Sequence, residues 1–207
     1  MVYSYLKNNY KEGEPVFLTD IQIDGMSEEN LRYHLKSLTD QGLINRFDSG
    51  IYYLPKKSLL DEPVKISAET VTMHKYINRR GKSVGYYSGY TLANRLGISS
   101  QVPFKEEITS NYAPAVVREI VVGNRRYILR RPVVPVTEEN IYVLQLLDCL
   151  KDIEKSSEID PRECGKILTQ YAEKHHITKA MVDKYIGHYP LKVFKAIYDT
   201  EVKYVPA

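Results

Sequence analysis

The side chains best spaced to recognise a ligand lie between Ser27 and Pro55. Asn30, Arg32, Tyr33, Lys36 and Ser37 crowd the outer side of a stretch whose Leu31, Leu35 and Leu38 fall at i, i+4 and i+7. All five can donate hydrogen bonds. A helix that presents donors on one face fits the major groove of DNA, where base edges and phosphates offer acceptors. Arg46 and Lys56 extend the reach to flanking phosphates. Glu29, on the same face, either accepts from a cytosine amine or repels phosphate. The alternative is that this module makes protein contacts only.

Catalytic chemistry finds less support. His175-His176 ends a helix, where a cationic side chain favours the dipole, so capping is expected in preference to metal binding. His34, His74 and His188 have no partners at ligand spacing. Tyr87-Ser88-Gly89 lacks the flanking glycine of a nucleophile elbow. No glycine- and lysine-bearing phosphate loop is present. Asp148, Asp152 and Glu158 sit among helical residues and read as solvated charge. Cys149 and Cys164 form neither a disulfide framework nor a zinc spacing, and are expected as buried thiols in helices. No catalytic residue, metal ligand or cofactor is expected.

These side chains need elements to hold them. Val2, Tyr5 and Leu6 place a short helix over Met1–Asn9, broken at Gly13-Glu14-Pro15. Phe17–Ile23 fits a second short helix, capped by Thr19. Ser27 caps the third helix, and its hydroxyl counts among the contact candidates. Gly42 suits the position just past that helix. Leu43–Phe47 and Ile51–Leu54 read as two strands with Asp48-Ser49-Gly50 as tip. A capped helix with a hairpin behind it is the plan of a winged helix-turn-helix, expected over residues 1–57. Such modules commonly work as dimers, so two half-sites are expected, with the chain a monomer or weak dimer that pairs on DNA.

Lys56–Pro63 reads as a linker. Beyond it, Glu69–Arg80 reads as helical, with Val71, His74 and Ile77 on one side. Gly89–Leu96 reads as a helix stopped by Gly97. Leu92–Val102 resembles the start of a second helix-turn-helix, but Pro103 would cut its second helix, so a turn and then a strand are expected. Val116–Val122 and Arg125–Arg131 flank Gly123-Asn124, a two-residue hairpin signal. That turn sets Val122 opposite Arg125, Ile120 opposite Tyr127 and Arg118 opposite Leu129, on a face expected to pack inward. From Thr137, taken as a cap, the pattern turns helical through Ile141, Leu144, Leu147 and Leu150. Asp160-Pro161-Arg162-Glu163 opens another helix. Tyr189-Pro190 starts the last, containing Phe194, Ile197 and Tyr198. The fold class is therefore α+β: an N-terminal winged helix-turn-helix, then a larger mixed α/β domain over 63–207 with a basic hairpin and a helical end.

The 207 residues suffice for one or two domains, and 43% hydrophobic with 27% charged residues is ordinary for a soluble protein. No run approaches the about 18 apolar residues of a membrane span. Met1-Val2-Tyr3-Ser4-Tyr5-Leu6-Lys7 lacks the basic n-region and long apolar h-region of a signal peptide, so none is expected. A cytoplasmic location and no membrane partner are expected. Charge is uneven. Residues 1–62 carry 7 Lys+Arg against 10 Asp+Glu, a balance of −3. Residues 63–131 carry 12 against 4, or +8, and residues 132–207 carry 10 against 12, or −2. The basic centre holds Arg79, Arg80, Lys82, Arg95, Arg118, Arg125, Arg126, Arg130 and Arg131. It fits an acidic protein surface, accessory phosphate contacts, or a solvated face with no partner.

Two pieces resemble the AbiEi family, the antitoxins of abortive-infection (type IV toxin–antitoxin) systems. One is the N-terminal module ending Gly50-Ile51-Tyr52-Tyr53. The other is Tyr87-Ser88-Gly89-Tyr90-Thr91-Leu92-Ala93-Asn94-Arg95-Leu96-Gly97-Ile98-Ser99-Ser100-Gln101-Val102-Pro103. The resemblance implies an autorepressor that binds repeats in its own promoter. It also implies a C-terminal part that opposes a nucleotidyltransferase-like toxin, with the nine basic residues as its neutralising surface. Asp48 at the wing tip and the acidic balance of residues 1–62 depart from a generic DNA binder. Two other classes stay open: a plain winged-helix regulator whose C-terminal part senses a ligand or dimerises, and a nucleic-acid enzyme using the basic centre as a groove.

Overall fold

The computed structural model describes residues 1–57 and 63–205. It is an α+β protein, and it divides into two compact units, Met1–Thr72 and Met73–Ala207. Residues 58–62 of the expected linker lie outside the described residues. No helix among the described residues is long and apolar enough to cross a membrane.

The first unit opens with α1 (Val2–Asn9), which buries Val2 and Leu6. β1 (Pro15–Phe17) follows, then a single 3-10 turn at Leu18–Asp20. The helix expected over Phe17–Ile23 is therefore absent. Pro15–Phe17 pairs with a later strand instead, and Leu18 and Ile21 drop into the core from the tight turn. Thr19 is not the cap of that turn, which starts at Phe17 with no side-chain cap bond; its hydroxyl donates to Asp20 Oδ1 at 3.4 Å. α2 (Glu28–Asp40) starts where Ser27 Oγ accepts from the Asn30 N–H at 3.3 Å. It ends with the Gly42 N–H on Thr39 O and the Leu43 N–H on Leu38 O, both 3.0 Å, which satisfies two of the last orphan carbonyls. β2 (Asn45–Asp48) and β3 (Ile51–Tyr53) form the expected hairpin, with an irregularity between Arg46 and Asp48. The three strands order as β1-β3-β2. Leu6, Val16, Leu31, Leu35, Ile44 and Tyr52 meet in the core beneath them. Two short ladder strands, β4 (Lys56–Lys57) and β5 (Pro63–Val64), pair with each other. α3 (Ala68–Thr72) closes the unit, with Ser67 Oγ accepting from the Thr70 N–H.

The second unit begins with a π-helical turn at Met73–Ile77. The helix expected to Arg80 stops there, and the widened turn buries Tyr76 in place of Ile77. Arg80 and Gly81 both take positive φ, 52° and 73°, which turns the chain tightly between β6 (Asn78–Arg79) and β7 (Lys82–Ser83). β8 (Gly85–Tyr87), α4 (Gly89–Leu96), β9 (Glu106–Ser110), β10 (Val117–Val122) and β11 (Arg125–Arg130) follow. No helix forms between Gly97 and β9, in keeping with Pro103. β10 and β11 pair in the expected register, Val122 with Arg125 and Arg118 with Leu129. β11 also pairs in parallel with β9, and β9 antiparallel with β8, giving the order β10-β11-β9-β8.

The helical end packs on this sheet. α5 (Ile141–Ser156) starts at Asn140, not at Thr137. Thr137 instead opens a turn, donating its N–H to Asn140 Oδ1 at 2.8 Å. α6 (Pro161–Lys174) has the expected Asp160 cap and proline start. α7 (Lys179–Ile186) and α8 (Lys192–Thr200) complete the unit. α8 buries Val193 and Ala196, while Phe194 and Tyr198 point outward. Leu144, Leu147, Leu150, Cys164, Leu168, Val182 and Val193 share one core with Tyr86 and Leu92.

Candidate nucleic-acid interface and basic sheet face

In the first unit, Leu31 and Leu35 turn α2 inward and leave Glu29, Arg32, Tyr33, Lys36 and Asp40 exposed. Not all the expected donors are equally available. Ser27 Oγ already accepts the cap bond. Arg32 is held by Glu28 at 2.6 Å. Ser37 Oγ accepts from Gln41 Nε2 at 2.9 Å. Arg46 Nε donates to the Asp48 carbonyl at 3.3 Å. Lys36 and Asn30 present exposed side chains, and Tyr33 is 71% exposed with its ring edge-on to His34. Lys56 is exposed on β4. Asp48 serves the hairpin turn, its Oδ1 accepting from the Ser49 N–H at 2.6 Å. The acidic residue at the tip therefore has a local structural task.

In the second unit, the structure splits the basic centre into clusters. Arg95 and Arg125 converge on Glu106, at 3.7 and 3.0 Å, and the Arg95 guanidinium lies 3.6 Å from the Tyr87 ring centroid. Arg126 and Lys105 converge on Glu119, at 3.6 and 2.6 Å, which hold its carboxyl below the usual range, the Lys105 hydrogen bond foremost. Arg130 donates twice to the buried Glu107, at 3.1 and 2.8 Å. Arg79 stacks on Tyr112 at 4.3 Å, with Arg80 and Lys82 on the same short hairpin. Arg131 reaches the Pro114 carbonyl at 3.5 Å. Arg118 is exposed and has no partner among the described residues.

The expectations about titratable groups are met in part. Asp148 is not solvated: it is 4% exposed and accepts from Tyr86 Oη (2.8 Å), Thr109 Oγ1 (3.3 Å) and Lys151 Nζ (2.5 Å). Burial, with Asp148 beside it, pushes the Tyr86 phenol well above its ordinary value. Glu158 is exposed, as expected, but lies past the end of α5 and accepts from both the N–H and the hydroxyl of Ser100 at 2.7 Å, which lower its pKa. Asp152 lies 3.8 Å from both Lys151 and Lys192. His175 sits at the C-cap of α6, as expected, but not as a free cation. It stacks on Tyr142 at 3.8 Å and touches Tyr171, and burial lowers its pKa, helped by Lys174 and His176. Cys149 and Cys164 are both buried and unbonded, and burial pushes the Cys149 thiol to about 12.

A cavity of about 280 Å³ was not foreseen. Gly89, Tyr90, Glu107, Arg130, Lys151, Asp152, Lys155 and Ser156 line it. Gly89 takes φ 54°, and a Cβ there would lie 2.5 Å from the Glu107 carboxylate, so only glycine fits. The Tyr90 N–H also donates to Glu107, at 3.3 Å. Glu107 thus occupies the start of α4 as a resident anion.

Residues 3–177 match a family of unknown function (DUF6088). Among curated proteins, none matches the chain.

Proposed function

The chain belongs to the DUF6088 family, and from the geometry of its two units we propose that it is a DNA-binding antitoxin: it represses its own operon and opposes a nucleotidyltransferase-like toxin. The observation that carries the DNA half is the exposed face of α2, backed by the β2–β3 hairpin. The order helix, strand, turn, helix, hairpin, with a β1-β3-β2 sheet, fits a winged helix whose middle helix has shrunk to one 3-10 turn. Asn30, Tyr33 and Lys36 are its free contacts, and Arg32 joins them by leaving Glu28. An exposed i,i+4 pair is worth only about 0.5 kcal/mol, so a phosphate displaces that carboxylate readily. The basic sheet of the second unit supports the antagonist half.

Binding to the DNA upstream of its own gene, measured over a salt series, tests the first half. Lys36→Ala is expected to flatten the salt slope by about one. Absence of specific binding even near about 50 mM salt removes the repressor reading. Co-expression with the neighbouring gene tests the second half: a neighbour that is not toxic, or toxicity that the full chain does not relieve, removes it.

A further inference from the structure

β10 stands at the edge of the four-stranded sheet, with β11 its single strand neighbour among the described residues. The ladder pairs Val122 with Arg125, Ile120 with Tyr127 and Arg118 with Leu129, and the Arg131 N–H donates to Val116 O at 3.0 Å. That bond sets the phase. Main-chain groups of residues 116, 118, 120 and 122 turn toward β11, and those of Val117, Glu119 and Val121 turn outward. Three N–H and three C=O groups are therefore offered along the edge. Edges of this kind are ordinarily blunted by proline, a bulge or a covering element. β10 contains no proline and its register runs without a shift.

The side chains along that edge have a pattern. Val117 and Val121 are 51% and 63% exposed on one face, either side of Glu119. Glu119 is already neutralised by Lys105 and Arg126. On the other face stands Arg118, exposed and without a partner among the described residues.

We infer that β10 binds a partner protein by strand addition, taking an extended segment that alternates apolar and acidic side chains. Apolar residues lie beside Val117 and Val121, acidic ones beside Arg118, and the outward main-chain groups supply the pairing. A second copy fits less well, because the antiparallel register that pairs most residues sets Glu119 against Glu119. The inference rests on the antitoxin reading for one point alone, that the partner is the opposed toxin.

The test uses the full chain and a fluorescent seven-residue peptide alternating valine and glutamate. Binding is followed by anisotropy, and amide exchange is read at Val117, Glu119 and Val121. Saturable binding below about 1 mM with protection of those three amides is expected. Methylating the peptide nitrogens that face β10 should weaken it about fivefold per lost bond. Glu119→Pro removes an outward N–H that β11 does not use, and should cost a similar factor. Arg118→Glu should reverse the preference toward a valine–lysine peptide. If Glu119→Pro fails to fold by circular dichroism, the methylated peptide carries the test on the unaltered chain. The proposal is overturned by no saturable binding, by binding indifferent to methylation, or by a dimer in sedimentation that Arg118→Glu or Glu119→Pro dissolves. Peptide binding retained while co-expression shows no relief of toxicity removes the antitoxin reading and keeps the edge. Relief retained without peptide binding does the reverse.

Discussion

Asp148→Ala removes the acceptor at the centre of a buried polar cluster, and its cost can be worked from the contacts. Tyr86 Oη donates to Asp148 at 2.8 Å from a residue 2% exposed, so the truncation takes away its charged acceptor and leaves the buried hydroxyl with Tyr189 alone. That costs about 1–3 kcal/mol. Thr109 keeps Ser88 Oγ at 3.0 Å and loses little. Lys151 is 23% exposed and has Asp152 at 3.8 Å, so its loss is about 1 kcal/mol at most. The total is about 2–4 kcal/mol, or about 10 °C in the melting of a unit of this size. Urea titration with hydrogen exchange read over residues 73–205 measures it, since a chain with two units need not unfold in one step. Adding Tyr86→Phe to Asp148→Ala should recover about 1 kcal/mol or more, because removing both partners leaves no orphan. If Asp148→Ala stays within about 0.5 kcal/mol of the parent, or if the second change makes matters worse, the cluster is not what joins α5 to β8.

Gly165→Ala should destabilise by about 3 kcal/mol, because a Cβ there would lie 1.7 Å from the Thr200 carbonyl; a melting point at or above the parent's would show that α6 and α8 can separate freely. His175 should titrate below its ordinary 6.5 by NMR. The unfolded chain then takes the proton first, so its contribution is complete above pH 6.5 and fades as pH falls through the depressed folded value. A midpoint at or above 6.5 would contradict the stacked, neutral ring. Cys149 should react with thiol reagents at neutral pH only on unfolding, and prompt labelling of the native protein would contradict its burial and raised pKa.

α2, α6 and the β10–β11 hairpin were legible because each carries its own punctuation: Ser27 and Gly42, Asp160-Pro161, Gly123-Asn124. The misreadings share a cause. Phe17–Ile23 has helical spacing, yet Pro15–Phe17 pairs with β3, a contact about 35 residues away that local pattern does not encode. β9 falls where a strand was expected after the Gly97 turn, but its bounds were not readable, since it is two glutamates and two hydroxyl residues around one isoleucine. Its Glu107 and Thr109 are buried because Arg130, Ser88 and Asp148 satisfy them from other elements. Asp148 looked solvated for the same reason: Tyr86 is 62 positions away. On the exposed face of α2, the positions were readable but the competition was not, since Arg32 spends its guanidinium on Glu28 and Ser37 its hydroxyl on Gln41.

The pairing of sheet arginines with Glu106, Glu107 and Glu119 has a kinetic consequence. Glu106 and Glu119 each face two cations, so those clusters stay net positive, whereas Arg130 with Glu107 is a dipole whose potential dies away faster than that of a lone charge. At physiological ionic strength, with a screening length of about 8 Å, that pair does little to draw a partner in from solution. Long-range attraction falls to these two clusters and to cations with no carboxylate partner among the described residues, Lys36 on α2 and Arg118 on β10 among them. Encounter with an acidic surface should therefore be drawn by the net positive charge that remains, should slow as salt rises, and should owe little to Arg130.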